Sequence, residues 1–367
     1  MKFTCTQENL NHGLALVSRV ASKNVALPIL NNVLIIAENG LVKLQTTNLE
    51  LGVTVAIRAK IDVTGRYTVQ SRLLNDFVAF LDHEQVIVEL TDAGLNITSG
   101  HSKTSIKGLS AEEFPVLPVV ELAQTTTIPA NQLLTALAGV TMAVANDESR
   151  PEISGVYIHL EGDIMTVAAT DSYRLSERKI TILSAVKQTQ SIILPARTAQ
   201  ELSRLLPADD TVVTIQVGEN QLHVSFDDLS IVSRVIEGQY PDYKQIIPQQ
   251  WHTKVTIPKD EFINHLKSAS LFCKSGINDV TLEIDPAAKA LRFTAANSQL
   301  GEHRSDLSAS VEGNQLEMVF NYRYLLDGLG ALQGDEISLE CTDANGPGLL
   351  HGAQAERELY LVMPIRQ

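Results

Sequence analysis

Three cysteines in 367 residues, Cys5, Cys273 and Cys341, are too distant and odd in number to frame a disulfide scaffold. No CxxC pair occurs, and no histidine stands at ligand spacing from any of them, so no metal site is expected. The nine histidines are scattered without an HxxxH or HExxH pattern. GxxxxGK[ST] and GxSxG are absent too, which removes the signatures of ATP hydrolysis and serine-hydrolase chemistry. The stretch GLGALQG at 328–334 spaces its third glycine one position late for a dinucleotide fingerprint, and it closes a helical pattern where it would have to open one. The nearest paired carboxylates, Glu112-Glu113 and Asp209-Asp210, are adjacent residues whose side chains diverge, as solvated loop charges do. A non-enzyme without cofactor is the expectation.

Long apolar runs are also missing. No stretch of 18 apolar residues exists, and Glu8, Asn9, Asn11 and His12 interrupt the first 20 residues, so neither a membrane span nor a secretory leader is expected. That reading places the chain in the cytoplasm. Aromatics make up only 5% of the residues, but hydrophobic residues reach 44%, enough to bury a core in each part of the chain.

What the chain does have is repetition. Arg72, Arg197 and Arg323 are 125 and 126 residues apart, and each begins an apolar segment whose ninth following residue is leucine: Leu81, Leu206 and Leu332. Asn48, Asp171 and Asn297 repeat at 123 and 126, each closing a strand-like run: LQTTN, VAATD, FTAAN. A period near a third of the length predicts three copies of one domain, over 1–120, 121–249 and 250–367.

Each copy opens with an extended pair of residues and then an amphipathic helix. Leu10, Leu133 and Phe262 are its equivalent anchors, Thr6 with Asn9 is an imperfect cap for the first, and Pro129 and Pro258 stand at the entry of the other two. Alternating strand pairs follow: VLIIAEN with LVKLQTT, VYIHLEG with IMTVAAT, VTLEIDP with LRFTAAN. The Arg-marked helix and further strands complete the copy. Tight turns imply antiparallel pairing, so the class is α+β, helices packed on antiparallel sheets. The Pro-containing stretches at 107–118 and 237–248 read as linkers.

The net charge of −14 argues against a protein coated in Lys and Arg for nucleic acid. Helices drawn at 7–23, 71–81, 130–145, 195–206, 258–274 and 321–332, however, hold nine basic and six acidic residues, or +3, against −17 elsewhere. A helical face of that sign would attract phosphate weakly and without sequence preference. Ordinary helix-surface composition would give the same count.

LPIL at 27–30, TDSYRL at 170–175, YPDYKQIIP at 240–248, the Asn-x-x-Tyr of Asn321 and Tyr324, and VMPIR at 362–366 occur in the order found in the bacterial DNA polymerase III β subunit. The whole chain resembles that sliding-clamp family. The resemblance implies a crescent protomer that closes head to tail with a second copy into a ring around duplex DNA. It further implies a processivity role, with the replicative polymerase, the clamp loader and other partners held through short peptides. The implied peptide cleft comprises Ile153, Thr170, Ser172, Tyr173, Arg174, Leu175, Pro241, Ile246, Ile277, Asn321, Tyr324, Val362, Met363, Pro364, Ile365 and Arg366. Lys23, Arg72, Arg150, Arg197, Lys267, Lys274 and Arg323 are expected to face DNA, and Ile106, Leu271 and Phe272 to meet across the subunit contact. The family's usual Gly-His is Ser172-Tyr173 here, and Gln245 and Asn24 stand where it carries basic residues. A peptide-binding scaffold that never encloses DNA is the alternative from another class.

Overall fold

The computed structural model describes residues 1–21, 26–82, 84–118, 124–147, 149–352 and 357–366. These divide into two compact units, one made of Met1–Ala130 with Pro207–Val235 and the other of Asn131–Leu206 with Ile236–Gln367.

The six expected helices are present: α1 (Gln7–Val17), α2 (Ser71–Ala79), α3 (Ala130–Thr141), α4 (Ala196–Leu205), α5 (Lys259–Ser270) and α6 (Tyr322–Ala331). Thr6 caps α1 by accepting from the Asn9 amide at 3.3 Å. Their ends differ from the expected ones. α1 stops at Val17, yet Val20 is buried in the turn that follows, so the apolar stripe continues after the helix has ended. Leu81, Leu206 and Leu332 are likewise buried just past α2, α4 and α6. Periodicity registers burial, and it cannot distinguish a helix from a turn packed under it.

The shorter helices overturn the charge argument. As observed they contain six basic and six acidic residues, because Arg19 and Lys274 lie beyond the ends of α1 and α5, and Lys23 is outside the described residues. The helices themselves carry no excess of positive charge.

The extended pair opening each copy is a full strand: Lys2–Thr6, Gln124–Pro129 and Thr253–Pro258. In the first unit, Lys2–Thr6 lies inside a five-stranded sheet whose outer edge is Ser102–Ile106. A nine-stranded sheet in the same unit runs on from Leu51–Arg58 to Leu229–Arg234, an antiparallel pairing of the first repeat with the second. The second unit is built alike. Its nine-stranded sheet continues from Arg174–Thr181 to Glu358–Val362, joining the second repeat to the third, and its four-stranded sheet ends at Gly301–Ser308. Both joints exchange backbone hydrogen bonds between repeats, so the sheets do not stop at repeat boundaries.

Leu10, Leu14 and Val17 of α1, and Phe262 and Leu266 of α5, are fully buried over these sheets. The marker asparagines and aspartate have a common cause. Asn48 Oδ1 accepts from the amides of Glu50 and Leu51, Asp171 Oδ1 from those of Tyr173 and Arg174, and Asn297 Oδ1 from that of Gln299. Each turns the chain out of one strand and back into the next.

Candidate peptide-binding site

Strands Ile164–Thr170 and Arg174–Thr181 form a hairpin whose tip is the TDSYRL segment. Besides the Asp171 contacts, Thr170 Oγ1 accepts from Ser172 N at 3.1 Å and donates to Arg174 O at 2.7 Å. These bonds hold Ser172 at φ +77°, a left-handed geometry that costs a non-glycine residue about 1 kcal/mol. Leu49, after Asn48, has the same geometry at φ +78°. The tip exposes Tyr173, whose side chain is 63% accessible.

Arg174 is held on three sides. Its Nε donates to Asp171 Oδ2 at 3.0 Å, Nη1 donates to Asp327, and the guanidinium lies 4.4 Å from the centre of the Tyr324 ring. Burial works to lower the Arg174 pKa, but Tyr360, Asp327 and Asp171 outweigh it and the net shift is upward. Arg174 therefore ties the hairpin to α6, and the donors so engaged are not free for a peptide. Asn321 is committed too: its side chain caps α6 by accepting from Arg323 N at 3.0 Å.

The C-terminal tail completes the surface. Val362 pairs with Arg174, Met363 N donates to Tyr173 O at 2.8 Å, and Ile365 N donates to Val319 O at 2.7 Å. Met363 packs on a cluster that contains Ile153, Leu175, Tyr240 and Tyr243. Tyr157 stacks on Tyr240 with centroids 4.8 Å apart, and Tyr243 meets both edge-on. The Tyr243 hydroxyl donates to Glu177 Oε2, and burial, then Glu177, pushes that phenol's pKa well up.

Most of the expected residues are brought together, in two different ways. Ile153, Leu175 and Val362 are wholly buried and Thr170 nearly so. They lie beneath the surface: Thr170, Leu175 and Val362 are inward-facing strand residues, and Ile153 ends the short helical turn Pro151–Ile153. Tyr173, Met363, Pro364 and Ile365 retain accessible surface, as do Pro241, Ile246 and Arg366. Ile277 is exposed in the turn before Asp279–Asp285, next to Asn278, whose carbonyl accepts from Tyr322 N. Asp327 and the Tyr157, Tyr240 and Tyr243 group were not anticipated. The YPDYK motif contained two of these tyrosines, but nothing in their spacing pointed to Tyr157.

The arrangement is rigid on the α6 side. A Cβ on Gly328 would come within 2.3 Å of the Tyr360 ring, so only glycine permits the approach. Tyr360, itself fully buried, donates its hydroxyl to Tyr324 O at 2.7 Å. Arg178 and Glu358 form a buried ion pair beneath, and Arg178 Nη2 also donates to Ala331 O at 2.6 Å. Burial lowers the Arg178 pKa to about 10, still ionised at neutral pH.

Of the residues expected to face DNA, Arg72, Arg197 and Arg323 occupy the second position of α2, α4 and α6 and are exposed. Lys267 is exposed, and Lys274 pairs with Asp279 at 3.6 Å. Arg150 is bound to the hairpin tip: Nη1 donates to Ser172 Oγ at 2.8 Å. Lys23 lies outside the described residues. Of the residues expected at the subunit contact, Ile106 is buried on the edge strand Ser102–Ile106, Leu271 is 70% exposed and Phe272 stacks on His303 at 5.8 Å.

All three cysteines are buried, with thiol pKa values raised by burial to about 12, 11 and 12 for Cys5, Cys273 and Cys341. Among the described residues no cluster of His, Cys, Asp or Glu could hold a metal, and no helix is long and apolar enough to cross a membrane.

Comparison with known proteins covers nearly the whole chain. Family profiles for the DNA polymerase III beta subunit match its N-terminal domain at residues 1–118, its central domain at 127–242 and its C-terminal domain at 244–366. The beta sliding clamp of Synechococcus elongatus is 30% identical over 372 residues, spanning 100% of this chain and 99% of the relative. That of Bacillus subtilis is 27% identical over 376 residues, with 100% of each chain covered. The crystal structure of the DNA polymerase sliding clamp from Bacillus subtilis superposes with a TM-score of 0.96 at 28% identity, covering 100% of this chain and 99% of that one. The beta subunit from Thermotoga maritima gives 0.93 at 26%, with the same coverage. With this fold, this hairpin and tail, and matches from end to end, the chain belongs to the DNA polymerase III beta-subunit family, the three-domain sliding clamps of DNA replication.

Proposed function

We propose that the chain acts as a processivity factor: two copies close a ring around duplex DNA, and the surface built by the 170–175 hairpin, the second linker and the C-terminal tail captures short peptides of the replicative polymerase, the clamp loader and other partners. Three domains at 1–120, 121–249 and 250–367 and a cytoplasmic location complete the reading.

One observation carries the ring. Two of the three joints that a threefold repeat could make are sheet continuations, Leu51–Arg58 with Leu229–Arg234 and Arg174–Thr181 with Glu358–Val362. The equivalent strands left over are Gly301–Ser308 and Ser102–Ile106, and each is the outer edge of its sheet. An unpaired edge is a template for another chain, and these two edges complement each other only head to tail between copies.

Side chains support the same joint. Met142, the ninth residue after the anchor Leu133, packs on the core of the third repeat. Leu271, ninth after the anchor Phe262, is its counterpart and is exposed. The α2 face carrying Leu73 and Phe80 is exposed as well, and it is the counterpart of the α6 face that meets Arg174 and Arg178.

Enclosure makes retention topological, so the neutral charge of the helices is no obstacle and individual phosphate contacts stay weak and salt-sensitive. Protein loaded on a nicked circular plasmid is expected to remain bound through gel filtration and to run off once the circle is linearised. Equal retention on both substrates would favour the open scaffold.

A further inference from the structure

The second unit holds a cavity of about 330 Å³ on strand Arg174–Thr181, away from the hairpin tip that serves the peptide surface. Its wall takes Arg178 and Lys179 from that strand, Arg357 and Glu358 from where the neighbouring strand begins, Gln132 from α3, and Gln333 from just past α6. Three of these side chains are cationic and one is acidic. The volume falls within the range of small-ligand sites, roughly 300 to 1,000 Å³.

The acid is already committed. Glu358 forms the buried ion pair with Arg178, and its Oε1 accepts from Gln333 N at 3.1 Å. Arg178 is 6% exposed; its Nη1 serves Glu358 and its Nη2 serves Ala331 O, while Nε lies against Gly139 without a hydrogen-bond partner among the described residues. An unmatched donor on a buried charged group is costly, and an anion against the guanidinium offsets that cost. Lys179 and Arg357 line the cavity yet are exposed, so they stand at its mouth. Lys179 reaches Glu177 at 3.5 Å, and Arg357 makes no ion pair among the described residues. Three bases against Glu358 and Glu177 leave the wall positive.

The fold does not need these charges. Leu51–Arg58 with Leu229–Arg234 makes the same joint between the first two repeats: Val55 pairs with Leu229 where Arg178 pairs with Glu358, and Ala56 N donates to Asp228 O at 2.9 Å where Lys179 N donates to Arg357 O at 2.9 Å. Apolar residues and an acid thus stand where the second joint has its ion pair and its two exposed cations. Replacing a buried ion pair by apolar residues is often neutral or stabilising, so the stability of the joint does not account for the charged set.

We propose that this cavity is a binding site for a phosphate monoester, whose oxygens sit among Arg178, Lys179 and Arg357 while the group that carries the phosphate lies by Gln132 and Gln333. Both glutamines are exposed, and their amides donate and accept hydrogen bonds. The chemistry favours phosphate over carboxylate: a planar carboxylate is satisfied by one guanidinium, whereas a tetrahedral dianion has oxygens for all three cations. A free nucleotide and the 5′ end of a DNA strand present the same group.

Equilibrium dialysis of the full-length protein at constant ionic strength tests this with adenosine 5′-monophosphate, inorganic phosphate and adenosine. The nucleotide should bind once per chain, inorganic phosphate more weakly, and adenosine at least about tenfold more weakly than the nucleotide. Lys179→Ala with Arg357→Ala, both at exposed positions, should lower nucleotide affinity about tenfold or more with an unchanged melting temperature. Arg58→Ala, which removes an exposed cation from the first unit, should leave it unaltered, separating a site from general attraction to positive charge. A short duplex supplies the last arm: displacement of the nucleotide only by a 5′-phosphorylated duplex supports a DNA end as the source, and displacement by neither form supports a free ester. Equal displacement with and without the 5′-phosphate would reduce the site to a backbone contact and overturn the assignment. No uptake of nucleotide or phosphate, or equal affinity in the double variant, overturns it as well.

Discussion

At the residue scale, the proposed peptide surface divides into side chains that can touch a ligand and side chains that hold those in place. Leu175 and Val362 belong to the second kind, being fully buried, and so does Arg174, whose donors already serve Asp171 and Asp327. Met363 and Pro364 belong to the first: both are partly accessible, and Met363 is anchored to the hairpin through its amide while its thioether side chain lies on an apolar cluster. A flexible thioether and a rigid ring suit the capture of apolar peptide side chains. Met363→Ala with Pro364→Ala should therefore weaken binding of a polymerase-derived peptide by about 1 to 3 kcal/mol, read by fluorescence anisotropy, with thermal stability nearly unchanged. Unaltered affinity would move the binding surface away from the tail.

At the scale of elements, α6 is the part that fixes the site. It presents Tyr324 and Asp327 to Arg174, and it can lie so close to the last strand only because Gly328 has no side chain to meet the Tyr360 ring. Gly328→Ala should cost about 1 to 3 kcal/mol in chemical denaturation through overpacking, and it should also lower peptide affinity by shifting Tyr324. Gly330→Ala, two residues along the same helix where the space is open, supplies the control: it should be neutral or stabilising by up to about 1 kcal/mol. Equal effects from both would mean that helix propensity, not the Tyr360 contact, decides.

The elements also show what the sequence could and could not reveal. Helix starts were legible because caps and prolines are local, as Thr6 illustrates. Helix ends were not, since Val20 and Leu81 stay buried after the helix has stopped, and the apparent positive charge of the helices came entirely from residues past such ends. The hairpin and tail were legible through motif resemblance. Asp327, which meets Arg174 from 153 positions away, and the Tyr157 stack left no local signature, because contacts of that range are set by topology.

At the scale of the whole molecule, one kind of joint is used between repeats, and its chemistry differs by position. Inside the second unit it is sealed by Met142 in the third core and by the buried Arg178 and Glu358 pair, and breaking such a pair is costly. The joint left for a second copy has Leu271, the exposed counterpart of Met142, in place of a side chain already sealed in a core. Leu271→Lys should then leave the folded monomer almost as stable as before, because the side chain is already mostly exposed, while weakening the dimer by about 2 to 4 kcal/mol and abolishing retention on circular DNA. Phe80→Asp, changing the other side of the same contact, should do likewise. Met142→Lys, at the counterpart position of the inner joint, should instead lower the unfolding midpoint of the monomer, since a charge there enters a core within one chain. If Leu271→Lys still sediments as a dimer while Met142→Lys is merely neutral, the three joints are not equivalent and the ring closes through some other surface.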